Sequence, residues 1–405
     1  MTPFDPDARE RHARAEMAAT RIPAPVAAGL VGIFLLGLAV GPLLELRALA
    51  AGRSKVWAPL PSADGALASA RAAIDELEAR YDERSELVRS ARPVVQLLLS
   101  ERLGYGNERA YLGRGGWLFF RPAFDHLALR PPPERVARAT ALAIRFRDAL
   151  AERGIRLVVL PAPVKLAIEP GRFVASPPAP PVRPAAESEF LEILATAGVE
   201  ILDPAARWRE GERRHPLYLE RDTHWRPEAV DEVAGELAIR LRDLGVLPVG
   251  DPDRWSEVPL EVAGEGDLSR LLGLPPAAGA DAQRVTLRRV VDRAGALWAP
   301  ERGAPVLLLG DSFAAVYSLP DLGWGSGAGL AERLALRLGL PVDRIVRNAG
   351  GASTTRAALA GELASDRSRL DGVRIVVWEL ATREITQGEW LDAPLPAPGP
   401  GTPGG

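Results

Sequence analysis

The chain of 405 residues contains no cysteine and only four histidines, His12, His126, His215 and His224. Without cysteine there are no disulfides, no thiolate metal ligands and no cysteine nucleophile. So few histidines also argue against a histidine-rich metal centre, and we expect neither a metal nor a cofactor. The 50 basic and 53 acidic side chains nearly cancel, so the charge gives no indication that nucleic acid is a partner.

Charged residues are absent from Ile22 to Leu44, which is about the length a helix needs to cross the roughly 30 Å hydrocarbon core of a membrane. Residues 1–21 are polar and rich in arginine, which favours a cytoplasmic N-terminal segment and export of the rest. We therefore predict a single transmembrane anchor at residues 22–46. A cleaved signal peptide is the alternative, because Ala48-Leu49-Ala50 has the small-x-small form of a cleavage site.

Residues 47–105 are predicted to form a linker and a stalk helix. Apolar residues recur at helical spacing from Ser62 to Arg92, which is typical of a helix that packs on a domain. A helix that binds a partner protein is the alternative. At the other end of the chain, residues 391–405 are mostly proline, glycine and alanine. Such a segment cannot bury a core, so we predict a disordered tail.

Residues 106–390 alternate between apolar strand patterns and amphipathic helix patterns. This alternation predicts an α/β domain with a parallel sheet and flanking helices. For residues 246–303 we predict an insertion with some β structure, because Val285–Leu287 has the pattern of a strand. The predicted strands are Ile155–Leu160, Val199–Leu202, Val306–Gly310, Arg344–Asn348 and Val373–Glu379. The predicted helices are 133–153, 187–197, 330–338 and one that begins at Pro227.

The apolar strand from Val306 ends abruptly at Gly310-Asp311-Ser312. The carboxyl ends of parallel strands are where α/β proteins place their sites. A serine at such a strand-to-helix turn exposes its hydroxyl and offers its own N–H to an oxyanion. The alternative is a plain turn whose polar residue caps the following helix.

A serine hydroxyl is a poor nucleophile without a base, and His224 is the best candidate for that base. His12 falls in the cytoplasmic segment, and we expect His126 and His215 to lack a nearby orienting partner of comparable kind. Asp222 lies two residues before His224, in the turn that precedes the helix at Pro227, and would orient the imidazole. The predicted triad is therefore Asp222, His224 and Ser312. The alternatives are a histidine that caps the turn and a solvated carboxylate.

A second oxyanion donor is expected from the turn after the neighbouring strand. The N–H of Gly350 or Gly351 is the natural source, and the Asn348 amide is a further candidate.

Three stretches, Gly310-Asp311-Ser312, Asn348-Ala-Gly350-Gly351 and Trp378-Glu379, resemble the first three blocks of the SGNH hydrolase superfamily. In most of that superfamily the histidine follows the serine, whereas here Asp222-Thr-His224-Trp225 precedes it. This order is similar to that of the alginate-type polysaccharide O-acetyltransferases, the AlgJ/AlgX family. The resemblance covers residues 106–388 and also includes Gly115-Gly116-Trp117-Leu118-Phe119, Pro163-Val-Lys165, Gly266-Asp267-Leu268 and Trp378-Glu-Leu-Ala-Thr-Arg383.

One block departs from the superfamily pattern. The third block usually carries Gly-x-Asn-Asp, whose asparagine helps hold the oxyanion, but this chain has Ala381-Thr382-Arg383-Glu384. Arg383 is therefore the oxyanion or substrate candidate from this block. The alternative is an arginine that ties the loop to Glu379 or Glu384.

The resemblance implies an O-acetyltransferase that moves acetyl through an ester on Ser312 to hydroxyls of an extracytoplasmic polysaccharide. It also implies a membrane-bound O-acyltransferase partner that supplies acetyl, and a single-pass protein of the cell inner membrane with its catalytic domain in the periplasm. A polysaccharide acetyl esterase with the same triad and a non-catalytic cell-surface glycan assembly protein are the alternatives. Four tryptophans, Trp117, Trp225, Trp324 and Trp378, are candidates for stacking on sugars or for burial.

Overall fold

The computed structural model describes residues 24–51, 85–177, 182–209, 215–275, 282–348 and 351–397. The strands are β1 (Ala110–Leu112), β2 (Leu118–Phe120), β3 (Arg156–Ala162), β4 (Glu200–Ile201), β5 (Trp255–Gly264), β6 (Gln283–Asp292), β7 (Val306–Gly310), β8 (Val342–Val346) and β9 (Ile375–Ala381).

The helices alternate with these strands along much of the chain. They are α1 (Ala24–Ala50), α2 (Glu86–Leu103), α3 (Arg121–Ala128), α4 (Pro133–Ala151), α5 (Lys165–Ile168), α6 (Ala185–Thr196), α7 (Pro204–Trp208), α8 (Pro227–Asp243), α9 (Asp267–Leu272), α10 (Ser312–Ala315), α11 (Leu330–Leu338), α12 (Gly351–Ser365) and α13 (Arg383–Gln387). Apart from these elements, the chain as a whole divides into two compact units, residues 1–95 and residues 96–405.

Helix α1 covers most of the predicted membrane anchor. Its 27 residues run from Ala24 to Ala50. Within the described ranges, no helix meets the combined requirement of length and apolar character for crossing a membrane. The structure therefore does not bear out the prediction of a transmembrane helix at residues 22–46. The predicted cytoplasmic segment, residues 1–21, lies outside the described residues.

The stalk helix differs from its prediction. Residues 52–84, which include most of the predicted helix, lie outside the described residues. Helix α2 continues through Pro93 to Leu103, whereas the sequence placed the helix end at Arg92. A proline inside a helix removes one backbone donor and usually kinks or ends the helix, yet this helix continues past it.

A parallel sheet forms the centre of the domain. Its five strands are ordered β4-β3-β9-β7-β8, and every neighbouring pair is parallel. Both faces are buried, which explains why the strand sequences are continuous apolar runs. Along β7, Val306 and Leu308 pack into the core on one face, and Leu307 and Leu309 pack into the core on the other. Helices α8 and α11 contribute to the first core, and α4, α6 and α12 contribute to the second.

The strand register brings several candidate residues to one edge of the sheet. Strand β7 lies between β9 and β8, with Leu309 opposite Trp378 and Gly310 opposite Val346. The segments that follow these three parallel strands therefore leave from the same edge. The prediction that the β8 strand extends to Asn348 is wrong, because pairing with β7 ends at Val346. Asn348 instead lies in an exposed bend.

The insertion at residues 246–303 contains the β structure that the sequence predicts. Strands β5 and β6 form a two-stranded antiparallel sheet, with Trp255 opposite Asp292. Helix α9 lies between them in the chain, and it begins at Asp267, next to the predicted catalytic turn.

The C-terminal tail contacts the domain as far as it is described. Arg367 Nη1 donates to the Ala397 carbonyl at 2.8 Å, and Arg153 donates to the Pro396 carbonyl. Disorder of the tail remains a prediction for residues 398–405, which lie outside the described residues.

Candidate active site

Ser312 lies where the sequence places it, at the carboxyl end of an interior strand. It is the first residue of α10, directly after β7 and Asp311. Asp311 caps this helix, because its Oδ1 accepts from the Phe313 N–H at 2.8 Å. Asp311 therefore fills the capping role that the alternative interpretation gave to a polar residue of this turn. The Ser312 side chain does not cap the helix. Ser312 is partly exposed, and the first amides of a helix have no partner within the helix.

The serine turn is tied to the neighbouring strand β9. Asp311 Oδ2 accepts from the Ala381 N–H at 3.2 Å, and the Asp311 N–H donates to Glu379 Oε2 at 2.8 Å. The turn also requires glycine at position 310. A Cβ there would lie 2.6 Å from the Cβ of Ala314 and 3.0 Å from Glu379 Oε2.

Glu379 is a buried carboxyl group beneath this turn. Burial raises its pKa well above the usual value, and the charge of Asp311 acts in the same direction. Both effects favour the neutral form of the Glu379 side chain. Within the part of the chain that the structure describes, its Oε1 has no hydrogen-bond partner.

Asp222 and His224 lie in a turn just before α8, as predicted. The turn is closed by a bridge between Tyr218 and Trp225, and the Leu219 N–H donates to the His224 carbonyl at 3.1 Å. Tyr317, which follows the serine helix in the chain, donates its hydroxyl to the Trp225 carbonyl at 2.7 Å. The predicted turn is thus fixed to the segment that follows Ser312.

The Asp222 carboxylate accepts four hydrogen bonds. Its Oδ1 accepts from His224 Nδ1 at 2.7 Å and from the His224 N–H at 2.9 Å. Its Oδ2 accepts from Trp324 Nε1 and from the Asp267 N–H, both at 2.8 Å. Burial alone would raise the pKa of Asp222, but the charge of His224 and these hydrogen bonds outweigh it and lower the pKa. The carboxylate is therefore ionised across the physiological range, and its burial excludes the alternative of a solvated carboxylate.

The hydrogen bond to Asp222 sets the tautomer of His224, because an Nδ1–H donor leaves Nε2 as the acceptor of a neutral ring. Nε2 is buried and, among the residues described, has no hydrogen-bond partner. The imidazole packs edge-on against Phe313, with ring centroids 5.0 Å apart. Burial acts to lower the pKa of His224, but the charge and hydrogen bond of Asp222 prevail and raise it.

The structure places His224 against Phe313, the residue that follows Ser312, but it does not complete the triad. Within the described ranges, no hydrogen bond joins Ser312 Oγ to His224 Nε2. Such contacts are often long when no substrate is bound. The assignment of Asp222, His224 and Ser312 as a triad therefore stays a prediction.

The oxyanion candidates lie beyond the ends of β8 and β9. Asn348 is exposed, Gly350 lies outside the described residues, and Gly351 begins α12. Gly351 has a φ of 69°, and a Cβ there would lie 2.1 Å from Glu384 Oε2, so this position requires glycine. Arg383 Nε lies 3.7 Å from Glu384 Oε1. This contact agrees with the alternative in which Arg383 ties the loop to an acid.

We call Asp222 and His224 the dyad. Several residues that surround this dyad were not predicted from the sequence. Trp324 was a candidate for sugar stacking or for burial; it is buried, and its hydrogen bond to Asp222 was not foreseen. Trp117, Trp225 and Trp378 are also buried, so the burial alternative holds for all four tryptophans. Asp267 and Lys165 also contact Asp222, through the Asp267 N–H and the Lys165 ammonium group. In the sequence, only the family resemblance of Gly266-Asp267-Leu268 and Pro163-Val-Lys165 pointed to these two residues.

His126 differs from its prediction, because it does have an acid beside it. Its Nδ1 lies 2.8 Å from Thr386 Oγ1 and its Nε2 lies 3.4 Å from Glu187 Oε2. Glu187 comes from α6, far away in sequence, so the chain order gave no sign of it. Both ring nitrogens are engaged in a fully buried setting, which leaves His126 no free nitrogen for a nucleophile.

One group of side chains has the composition of a metal site. Ligand atoms of Asp222, His224 and Asp267 all lie within 4.8 Å of one another. The Asp222 oxygens and His224 Nδ1 are already paired, however, and Asp267 Oδ1 accepts from the Thr223 N–H at 2.7 Å. A cation bound there would have to break the hydrogen bond that orients the imidazole.

The parallel five-stranded sheet, with a serine after an interior strand and an Asp-His pair beside it, defines an SGNH hydrolase-like α/β domain. The family model described as "SGNH hydrolase-like domain, acetyltransferase AlgX" matches residues 110–382. The chain belongs to this family, and it is an acyltransferase of the SGNH type.

Known relatives carry names consistent with this family. The chain is 25% identical over 316 residues to a probable alginate O-acetylase AlgJ of Azotobacter vinelandii, covering 76% of this chain and 78% of the relative. It is 27% identical over 200 residues to the AlgJ of Pseudomonas syringae pv. tomato, which covers 49% of this chain and 50% of the relative. The O-acetyltransferase domain of Pseudomonas putida AlgJ has a similar fold, with a TM-score of 0.53 and 22% identity over 69% of this chain and 92% of that one.

Proposed function

We propose that this protein transfers acetyl through an ester on Ser312 to hydroxyl groups of an extracytoplasmic polysaccharide. The observation that carries the proposal is the state of His224. Asp222 fixes the ring through Nδ1, while Nε2 is left unpaired among the described residues, beside Phe313. The family of SGNH acetyltransferases and relatives named as alginate O-acetylases support transfer to a polysaccharide.

The first half of the reaction forms the acetyl-enzyme. His224 Nε2 takes the Ser312 proton as Oγ attacks the carbonyl carbon of the acetyl donor. The N–H groups of Ser312 and of Gly350 or Gly351 stabilise the oxyanion, and Asp222 stabilises the imidazolium. The tetrahedral intermediate then expels the leaving group of the donor, which takes the proton from His224, and Ser312 remains as the acetyl ester.

The second half transfers the acetyl group. A sugar hydroxyl gives its proton to His224 Nε2 and attacks the ester carbonyl, and Ser312 regains the proton as the product leaves. Water in place of the sugar would make the same site an esterase, because both nucleophiles use the same base. Exclusion of water therefore decides between transfer and hydrolysis. Asn348 and Arg383 are proposed to contact the acceptor at this edge of the sheet.

The acceptor assay separates these outcomes. Purified protein receives p-nitrophenyl acetate together with acetyl-free alginate oligosaccharides or, as a control, neutral glucan oligosaccharides. Mass spectrometry then counts acetyl groups on the sugars. We expect acetylated alginate with wild-type protein and none with His224→Ala. Release of acetate to water alone, at the same rate with and without either acceptor, would favour the esterase.

We further propose an inner-membrane location, with the catalytic domain in the periplasm and a membrane-bound O-acyltransferase as the acetyl donor. The support is the sequence pattern alone, the uncharged run from Ile22 to Leu44 with its arginine-rich flank; helix α1, as described, does not meet the requirement for crossing a membrane. A C-terminal alkaline phosphatase fusion is expected to be active, and an inactive fusion would contradict export. Co-purification with a multi-span acyltransferase tests the partner.

A further inference from the structure

Lys165 is one of only two lysines in the sequence, the other being Lys55, and it is buried. Its side chain is 3% exposed. Its Nζ donates to three backbone carbonyls, those of Leu118 at 2.7 Å, Glu220 at 2.8 Å and Asp222 at 3.1 Å. An ammonium group has three donors and no acceptor, so these carbonyls use its whole donor capacity.

The three carbonyls belong to parts of the chain that are distant in sequence. Leu118 is in β2, whereas Glu220 and Asp222 are in the turn that carries the dyad. The Leu118 N–H also donates to the Glu220 carbonyl at 2.9 Å. The Lys165 ammonium lies 4.8 Å from the ring centre of Trp117 and 5.1 Å from that of Phe119, where aromatic faces attract a cation.

The peptide unit after Asp222 is thereby fixed on both sides. Its carbonyl accepts from Lys165, and its N–H, on Thr223, donates to Asp267 Oδ1 at 2.7 Å. That peptide joins Asp222 to the segment leading to His224. Its orientation determines where the two side chains stand relative to each other.

We propose that Lys165 is a positioning residue, whose three hydrogen bonds hold the backbone of the Asp222–His224 turn against β2 so that the imidazole stays aligned for proton transfer. This inference rests on the proposed function, because it assumes that the dyad is the base. It also accounts for two stretches that the mechanism leaves unused, the aromatic residues 117–119 and Pro163-Val-Lys165. Both meet the Asp222-Thr-His224 turn at one ammonium group.

The protonation state of Lys165 should affect the pH dependence of the acetylation rate. Burial lowers the pKa of Lys165 to about 7, although the charges of Asp222, Asp267, Glu169 and Glu220 oppose the shift. A neutral amine has only two donors, so deprotonation releases one of the three carbonyls. The acetylation rate should therefore fall as the pH rises through this pKa. An arginine stays protonated in proteins and would move that decline to higher pH.

The test compares Lys165→Met and Lys165→Arg with a matched control, Arg356→Met. Arg356 is also a buried cation against two tryptophan rings, and it donates to the Leu391 carbonyl at 3.1 Å, but it lies in α12 among residues of the second core. The readouts are the acetylation rate constant with p-nitrophenyl acetate, KM, the pH profile and the His224 Nδ1 proton resonance.

We expect Lys165→Met to lower the rate constant by about 100-fold, the scale of a misplacement near 1 Å, with little change in KM and with loss of the Nδ1 resonance. Lys165→Arg should recover activity and extend it to higher pH. Arg356→Met should keep the rate per folded molecule. If Lys165→Met does not fold, Lys165→Gln, which retains two donors, takes its place. A wild-type rate and resonance in either folded variant would overturn the proposal.

A parallel His224→Ala measurement separates the two failures. If His224→Ala is inactive while folded Lys165→Met is unaffected, the proposed function stands and only the role of Lys165 is wrong. If His224→Ala keeps the wild-type rate, the dyad itself is wrong.

Discussion

The two halves of the candidate site differ in how firmly they are held. In the dyad half, Asp222 and His224 are 1% and 5% exposed, and the Asp222 carboxylate accepts four hydrogen bonds. In the nucleophile half, Ser312 is partly exposed and Asn348 is exposed. A base works best when it is preorganised away from water, whereas a polymer acceptor needs an open approach. In the proposed mechanism, proton transfer is therefore fixed in advance and the acceptor is met at the surface.

Among the variants that test this contrast, removal of the base should have the largest effect on the acetylation rate. His224→Ala leaves the Ser312 hydroxyl without an acceptor for its proton, and we expect the acetylation rate to fall by roughly 10⁴-fold or more. The acetylation rate of Asp222→Ala should fall less, because the imidazole remains but loses its orientation. Stopped-flow release of p-nitrophenol measures both. Equal rates in His224→Ala and wild type would show that the buried half takes no part in the chemistry.

The next effect concerns the indole that supports Asp222. Trp324→Phe keeps an aromatic ring and removes the Nε1–H bond to Asp222 Oδ2. A hydrogen bond to a charged group contributes about 1.5–3 kcal/mol, so we expect a decrease in kcat of about tenfold or more with KM preserved. Trp298→Phe is the matched control, since Trp298 is buried and its Nε1 has no partner among the described residues. Identical kinetics in the two variants would mean that Trp324 only fills space.

The pH dependence tests the charge state of the buried half. In the proposed mechanism neutral His224 is the base, and its pKa is raised above the ordinary 6.5. The rising limb of the acetylation-rate profile should therefore have a pKa above that value, and loss of the Lys165 proton should form the falling limb. The same shift means that the stability contributed by the charged histidine is fully present below about pH 6.5 and is lost as pH rises through the folded-state pKa. A rate profile with its rising limb below pH 6.5 would contradict the paired imidazole.

The smallest effect is expected beneath the serine turn. Because burial favours the neutral form of Glu379, Glu379→Gln supplies an uncharged acceptor for the Asp311 N–H. We expect activity within about threefold and a melting temperature at neutral pH that is unchanged or higher. Glu379→Leu is the contrasting variant, because it leaves a buried N–H unpaired at a cost of about 1–3 kcal/mol. Loss of activity in Glu379→Gln would show that Glu379 works as a carboxylate.

Much of the fold follows from local patterns. The buried strands β3, β7 and β9 are apolar runs that end at turn residues, and the bounds of α11 agree with the predicted 330–338. Strand ends were less predictable, because they depend on where the partner strand stops, as at Val346. The continuation of α2 through Pro93 was equally hidden, since a local proline rule argues against it.

The site was predictable in part for the same reason. Asp222 and His224 are two residues apart, so the sequence shows the pair directly, and the Gly310-Asp311-Ser312 turn is also local. The contacts that hold them come from long range. Trp324 is 102 residues from Asp222, and Lys165 is 57 residues from it. Nothing near either residue in the chain indicates that contact.

The formation of an acetyl ester on Ser312 tests the central claim most directly. Wild-type protein and Ser312→Ala are exposed briefly to p-nitrophenyl acetate, quenched in acid, digested and analysed by mass spectrometry. Ser318→Ala is the control, because its hydroxyl lies in the same stretch but is bonded to Glu332 at 2.8 Å. We expect one acetyl group on the peptide with Ser312 in wild type and in Ser318→Ala, and none in Ser312→Ala. The same adduct on that peptide in Ser312→Ala, with wild-type turnover, would contradict the account.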